Sequence, residues 1–174
     1  MKWIGIALAS LLALVALCAA IGAALPKRHV AKRTTMIGKS AAEIWATITD
    51  FASTPSWRKD VERVEILAPR EGRTVFRETT EQGPVLFEVV EMAAPERMVV
   101  RVADPDLPFS GAWTYSLAEE GERTRITIVE DGEVHNPLFR LMSALFFDHA
   151  STLEKYLRAL GQRHGEDVVV EVAS

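Results

Sequence analysis

A chain of 174 residues, 48% hydrophobic and 25% charged, is long enough for one folded domain and an appendage. Its formal net charge of -4 and pI near 5.6 exclude the broad basic face of a nucleic-acid-binding domain. The single cysteine, Cys18, excludes an internal disulfide and, lying inside an apolar run, a nucleophilic thiol.

Trp3 to Leu25 carries no charged residue. As a helix it spans about 35 Å, enough for a hydrocarbon core of ~30 Å with some tilt. Residues 1–26 therefore read as a single-pass anchor that meets the membrane through residues 3–25, with Trp3 at the interface. The small residues from Ala20 to Ala24 also fit a cleaved signal peptide. The length of the run and the Pro26-Lys27-Arg28 flank favour retention. Lys27, Arg28, Lys32 and Arg33 outnumber Lys2, which by the positive-inside rule places the rest of the chain on the cytoplasmic side of the cell membrane.

The domain is expected over residues 27–164. His29 to Ile37 reads as a first strand, ended by Gly38. Ser40-Ala41-Ala42-Glu43 is a capping box, and Ile44, Trp45, Ile48 and Phe51 form the apolar face of the helix it opens. Asp50 to Ser56 is a loop or a second short helix. From Val61 the period becomes two. Turns at Pro69–Gly72, Gln82–Pro84, Ala93–Glu96, Asp104–Pro108 and Glu119–Glu122 divide the chain into strands. Phe109, Gly111, Trp113, Tyr115 and Leu117 share one strand face; Ile126, Ile128 and Glu130 share another, which Gly132 is expected to bend or bulge. A long helix is expected from Asn136, an N-cap followed by Pro137, to Arg163. Leu138, Met142, Leu145, His149, Leu153, Tyr156 and Leu160 would form its inner face, widened by Phe139, Phe146 and Leu157. Residues 165–174 form a tail whose Val168–Val170 run fits either an edge strand or a free end. The class is thus α+β: a curved antiparallel sheet of about seven strands wrapped around a long C-terminal helix, with two short helices after the first strand and one transmembrane helix before it.

The order of these elements, with the strings Ser40-Ala41-Ala42-Glu43-Ile44-Trp45, Ile48-Thr49-Asp50-Phe51, Pro55-Ser56-Trp57 and Gly111-Ala112-Trp113-Thr114-Tyr115, resembles the START-like or SRPBCC superfamily, also called polyketide cyclase/dehydrase-like, over His29 to Arg163. The resemblance implies a helix-grip fold with a cavity between sheet and helix that takes lipids, polyketides or other apolar molecules. It implies no cofactor.

The sequence holds no G-x-S-x-G, P-loop, H-E-x-x-H or C-x-x-C motif, and its four histidines have no metal-ligand spacing. His149, midway along the expected apolar face, and Glu130, on an inward strand face, are the candidate acid–base pair of a cyclase/dehydratase-type enzyme. A core histidine with one hydrogen bond and a solvated strand-end glutamate are the plainer alternatives. If Glu130 is buried it needs a partner, with Arg77 or His149 as candidates. Trp57, Arg77, Phe87, Phe109, Trp113, Tyr115, Met142, Leu145, Phe146 and His149 are the expected ligand-binding residues, because ligand pockets are mostly apolar with few polar groups. Asp104–Pro108 is the expected entrance. Phe147, between Arg140 and Glu154 by helical angle, would lie on the polar face as a membrane or partner contact. The leading expectation is a membrane-anchored domain that binds a small hydrophobic ligand; an enzyme and a protein-interaction module are the alternatives.

Overall fold

A computed structural model of the protein describes residues 2–146 and 148–173, the side chains of Lys2 and His149 excepted. The apolar N-terminal run forms helix α1 (Lys2–Ala24), long and apolar enough to cross a membrane. Strand β1 (Arg28–Ile37) leads to α2 (Ala41–Thr49), where the capping box forms: the Ser40 hydroxyl accepts from the Glu43 amide at 3.3 Å, and the Glu43 carboxylate accepts from the Ser40 amide at 3.1 Å. A 3-10 helix (Phe51–Ser56) follows. Then come β2 (Val61–Arg70), β3 (Arg73–Thr80), β4 (Gly83–Ala93), β5 (Arg97–Val102), β6 (Phe109–Glu120) and β7 (Arg123–Val134). Two helices, α3 (Pro137–Phe146) and α4 (His149–Arg163), and the two-residue β8 (Glu171–Val172) complete the chain.

The strands form one antiparallel sheet in the order β2-β3-β4-β5-β6-β7-β1-β8. Its inner face takes alternate residues of each strand, and α4 lies against it with Leu153, Leu157 and Leu160 fully buried and Tyr156 nearly so. Each such side chain contributes about 1.5–3 kcal/mol on burial, which makes α4 the main partner of the sheet. The tail is tied down: Val168 joins the core, the Thr35 hydroxyl donates to the Val169 carbonyl at 2.7 Å, and β8 pairs with β1.

Two expectations change. The single helix over Asn136–Arg163 is two helices. Asp148 leaves the helical region (φ -103°, ψ 95°) and its carboxylate accepts from the Ser151 amide at 3.2 Å, capping a fresh N-terminus. A short acidic side chain that binds nearby backbone N–H groups competes with a continuing helix. The expected face therefore splits. Leu153, Tyr156 and Leu160 face the sheet, while Leu138, Met142, Leu145 and Phe146 are exposed. Gly132 makes no bulge either. It pairs in regular register with His29 on one side and Gly111 on the other.

Candidate functional site

Between the inner face of the sheet and helices α3 and α4 lies a cavity of about 330 Å³. Aromatic side chains cluster in its wall. Phe51 stacks on Phe76 at 4.4 Å, Phe76 on Phe87 at 5.4 Å, and Trp113 meets Tyr156 edge-on at 5.9 Å. These contacts follow from strand alternation, which points Phe76 and Glu78 of β3, Phe87 of β4, and Phe109, Trp113 and Tyr115 of β6 to one side.

Of the expected residues, Phe87, Phe109, Trp113, Tyr115 and Glu130 line this cavity. Trp57 does not; it packs edge-on at 5.4 Å against Tyr156, which does. Arg77 lies on the opposite face, paired with Glu65 at 3.3 Å, because its strand neighbours Phe76 and Glu78 point inward. Met142, Leu145 and Phe146 sit on the outer surface of α3, since the chain turns after that helix. Residues 104–108 lie outside the lining, which takes up Val102 and Phe109 on either side of them. The side chain of His149 and the whole of Phe147 lie outside the described residues.

Two polar groups stand in the wall, and of their members sequence reasoning found only Glu130. The first centres on Arg58, which is 8% exposed. Its guanidinium donates to Glu78 at 3.2 Å and to Asp60 at 2.5 Å, and it lies over the Tyr156 ring at 5.2 Å. Burial works against the Arg58 charge, but Glu78 and Asp60 outweigh it and hold the guanidinium protonated. Burial pushes the Glu78 carboxyl above its ordinary value, with Arg58 offsetting only part of the effect. Burial likewise raises the Tyr115 and Tyr156 phenols, whose hydroxyls hydrogen-bond to each other. Arg58 follows a 3-10 helix, where no periodicity marks an inward side chain.

The second group is His29 with Glu130. The imidazole Nε2 lies 3.1 Å from the Glu130 carboxylate, and both line the cavity. Their strands are adjacent, with His29 opposite Gly132 and Ala31 opposite Glu130. Gly132 is what admits the ring: a Cβ there would lie 2.3 Å from His29 Cε1. Glu130 thus has a partner in His29, while Arg77 is turned to the other face. The two polar groups sit on opposite flanks of the sheet, with β4, β5 and β6 between β3 and β7. Among the described residues, no group of three or more His, Cys, Asp or Glu side chains is placed to hold a metal ion. The arrangement can enclose an apolar molecule and meet polar atoms at its two ends.

The family model described as "Polyketide cyclase / dehydrase and lipid transport" matches residues 28–163. Comparison of the sequence with curated proteins gives no match. Among solved structures, a START superfamily protein from Mycobacterium smegmatis is similar at 23% identity and a TM-score of 0.63, covering 79% of this chain and 97% of that one. A Thermus thermophilus protein is similar at 21% identity and a TM-score of 0.65, covering 78% and 97%. The Zhui aromatase/cyclase from Streptomyces sp. R1128 is similar at 13% identity and a TM-score of 0.63, covering 79% and 94%. These likenesses show a START-like fold.

Proposed function

The chain belongs to the polyketide cyclase/dehydrase and lipid-transport family, and from that membership and its cavity we propose a membrane-anchored binding domain that encloses a small hydrophobic molecule, a lipid or polyketide-like compound. The observation that carries this reading is the aromatic cavity of about 330 Å³ with polar groups at its flanks. Ligand pockets run from roughly 300 to 1,000 Å³ and are apolar with a few placed polar groups. A volume at the lower end favours a single-chain or ring-type molecule over a two-chain phospholipid. Binding gains come from removing the ligand's apolar surface from water, and Tyr115, Tyr156, Arg58 and His29 are the polar side chains of the wall that its polar atoms would meet. With α1 retained as a span, the cavity stays beside the membrane, and its effective concentration for membrane-derived ligands rises.

The test is recovery of the ligand. The full chain, extracted in native nanodiscs and examined by mass spectrometry, should release a defined small molecule. Val102→Trp, which puts an indole into the cavity, should release none. Equal recovery from both proteins would place the molecule in the surrounding lipid and sink the proposal.

The His29–Glu130 contact favours a second reading, proton transfer on a bound substrate of the cyclase/dehydratase kind, with His29 as a further proton-transfer group beside Glu130. Under it, His29→Gln should release a compound heavier by one water than the parent protein releases. The same compound from both would leave binding alone.

A further inference from the structure

Helix α3 is inside out for a helix in water. Its two polar side chains, Arg140 and Ser143, are buried, while Leu138, Met142, Leu145 and Phe146 are 39 to 71% exposed. A surface helix ordinarily turns these faces the other way, because its apolar stripe gains by leaving water. The exposed residues recur at steps of four, three and one, so they form one continuous stripe rather than scattered side chains.

What covers the stripe follows from its neighbour. The C-terminal turn of α1 packs on α3 so closely that a Cβ on Gly22 would lie 1.9 Å from the Pro137 carbonyl oxygen. Arg140 then joins the two helices. Its Nη1 donates to the carbonyls of Gly22 at 3.0 Å and Leu25 at 3.2 Å, its Nε to Val134 at 3.1 Å, and its Nη2 to His135 at 3.2 Å. The last carbonyls of a helix have no partner within it and carry the negative end of its dipole, so a buried cation suits them. The α3 stripe is thus held beside a helix whose own apolar side chains are exposed along most of its length. One phase can cover both.

We propose that α3 is a second membrane contact, lying in the interfacial layer of the bilayer that α1 spans, with Leu138, Met142, Leu145 and Phe146 toward the acyl chains. This rests on the reading of α1 as a retained span. The opposite side of α3 contributes Phe139 and Ser143 to the cavity wall. A single helix then separates cavity from lipid, and a membrane-derived ligand reaches the cavity from the bilayer rather than from water.

The test uses the full chain with Cys18→Ala, in nanodiscs of phosphatidylcholine and phosphatidylglycerol. Single cysteines at Met142 and Leu145 carry an NBD fluorophore; Ala13→Cys in α1 and Ile66→Cys, exposed on β2, are the references. Two stripe positions are labelled so that a local distortion at one does not decide the result. An interfacial helix sinks its apolar face ~5–10 Å, so doxyl-labelled lipid should quench 142 and 145 about threefold more than 66. Quenching at 13 without excess quenching at 142 and 145 overturns the inference and leaves the anchor standing. No quenching at 13 overturns the anchor, and the inference with it. Blue-shifted emission at 142 and 145 without lipid quenching puts a second copy or another protein on the stripe, and also overturns it.

Discussion

Arg58→Met should destabilise the domain by about 3 kcal/mol at pH 7.5, at the lower end of the 3–5 kcal/mol range for breaking a buried ion pair. The loss comes chiefly from Glu78, whose carboxylate, 14% exposed, would keep its place in the cavity wall without an opposing charge. Asp60 adds little, since its carboxylate is half exposed and water replaces the lost partner. Methionine preserves most of the aliphatic stem, so lost packing is minor. For a domain of this size the change lowers Tm by about 10 °C. The penalty should depend on pH in a definite direction. Burial already holds the Glu78 carboxyl above its ordinary value, and removing Arg58 takes away the charge that lowers it. A carboxyl raised in the folded state stabilises below its unfolded value, near 4.3, and loses that stabilisation as pH rises through the folded value. The gap between parent and variant should therefore narrow from pH 7.5 to pH 5, and Glu78→Gln in the variant should recover at least half of it at pH 7.5. Calorimetry of the full chain in nanodiscs measures all three. A variant melting within about 2 °C of the parent, where ~10 °C is expected, a gap that widens toward pH 5, or no recovery with Glu78→Gln would each refute the reasoning.

Gly132→Ala should cost about 1–3 kcal/mol by driving the His29 ring out of the wall. His29→Ala in the same chain should recover part of it, and additive losses would show that the ring is not the cause. Burial, helped by Lys39, lowers the His164 imidazole below its ordinary value. Its stabilisation is then present above pH ~6.5 and lost as pH falls through the folded value, so His164→Asn should flatten the loss of stability on the acid side. An unchanged pH profile in thermal melts would refute that assignment. Arg140→Met removes charge-assisted hydrogen bonds worth about 1.5–3 kcal/mol together, so the α1 terminus should open about tenfold more often. Tryptic cleavage after Lys27 reports it, and an unchanged cleavage rate would count against the clamp.

Much of the fold was legible in the chain because local rules decide it. Strand alternation placed Phe109, Trp113 and Tyr115 on one face, Ser40 and Glu43 announced their capping box, and Leu153, Tyr156 and Leu160 fell on one helix face. The same rule, applied to Phe76 and Glu78, already points Arg77 outward. The site was less legible, because its polar groups meet through register and chain path. His29 reaches Glu130 across 101 residues only because β1 pairs with β7, and Arg58 enters from an aperiodic turn to meet Glu78. Periodicity also states which side chains share a face without stating what covers it. Asp148 broke the expected long helix, and the apolar stripe of α3 turned away from the sheet. The sequence alone thus determined an apolar leading helix, an antiparallel sheet and an inner face of α4, since each depends on neighbours within a few residues. Only the tertiary structure decided which polar groups guard the cavity and that α1 and α3 are held together by Arg140, because those contacts join segments far apart in the chain.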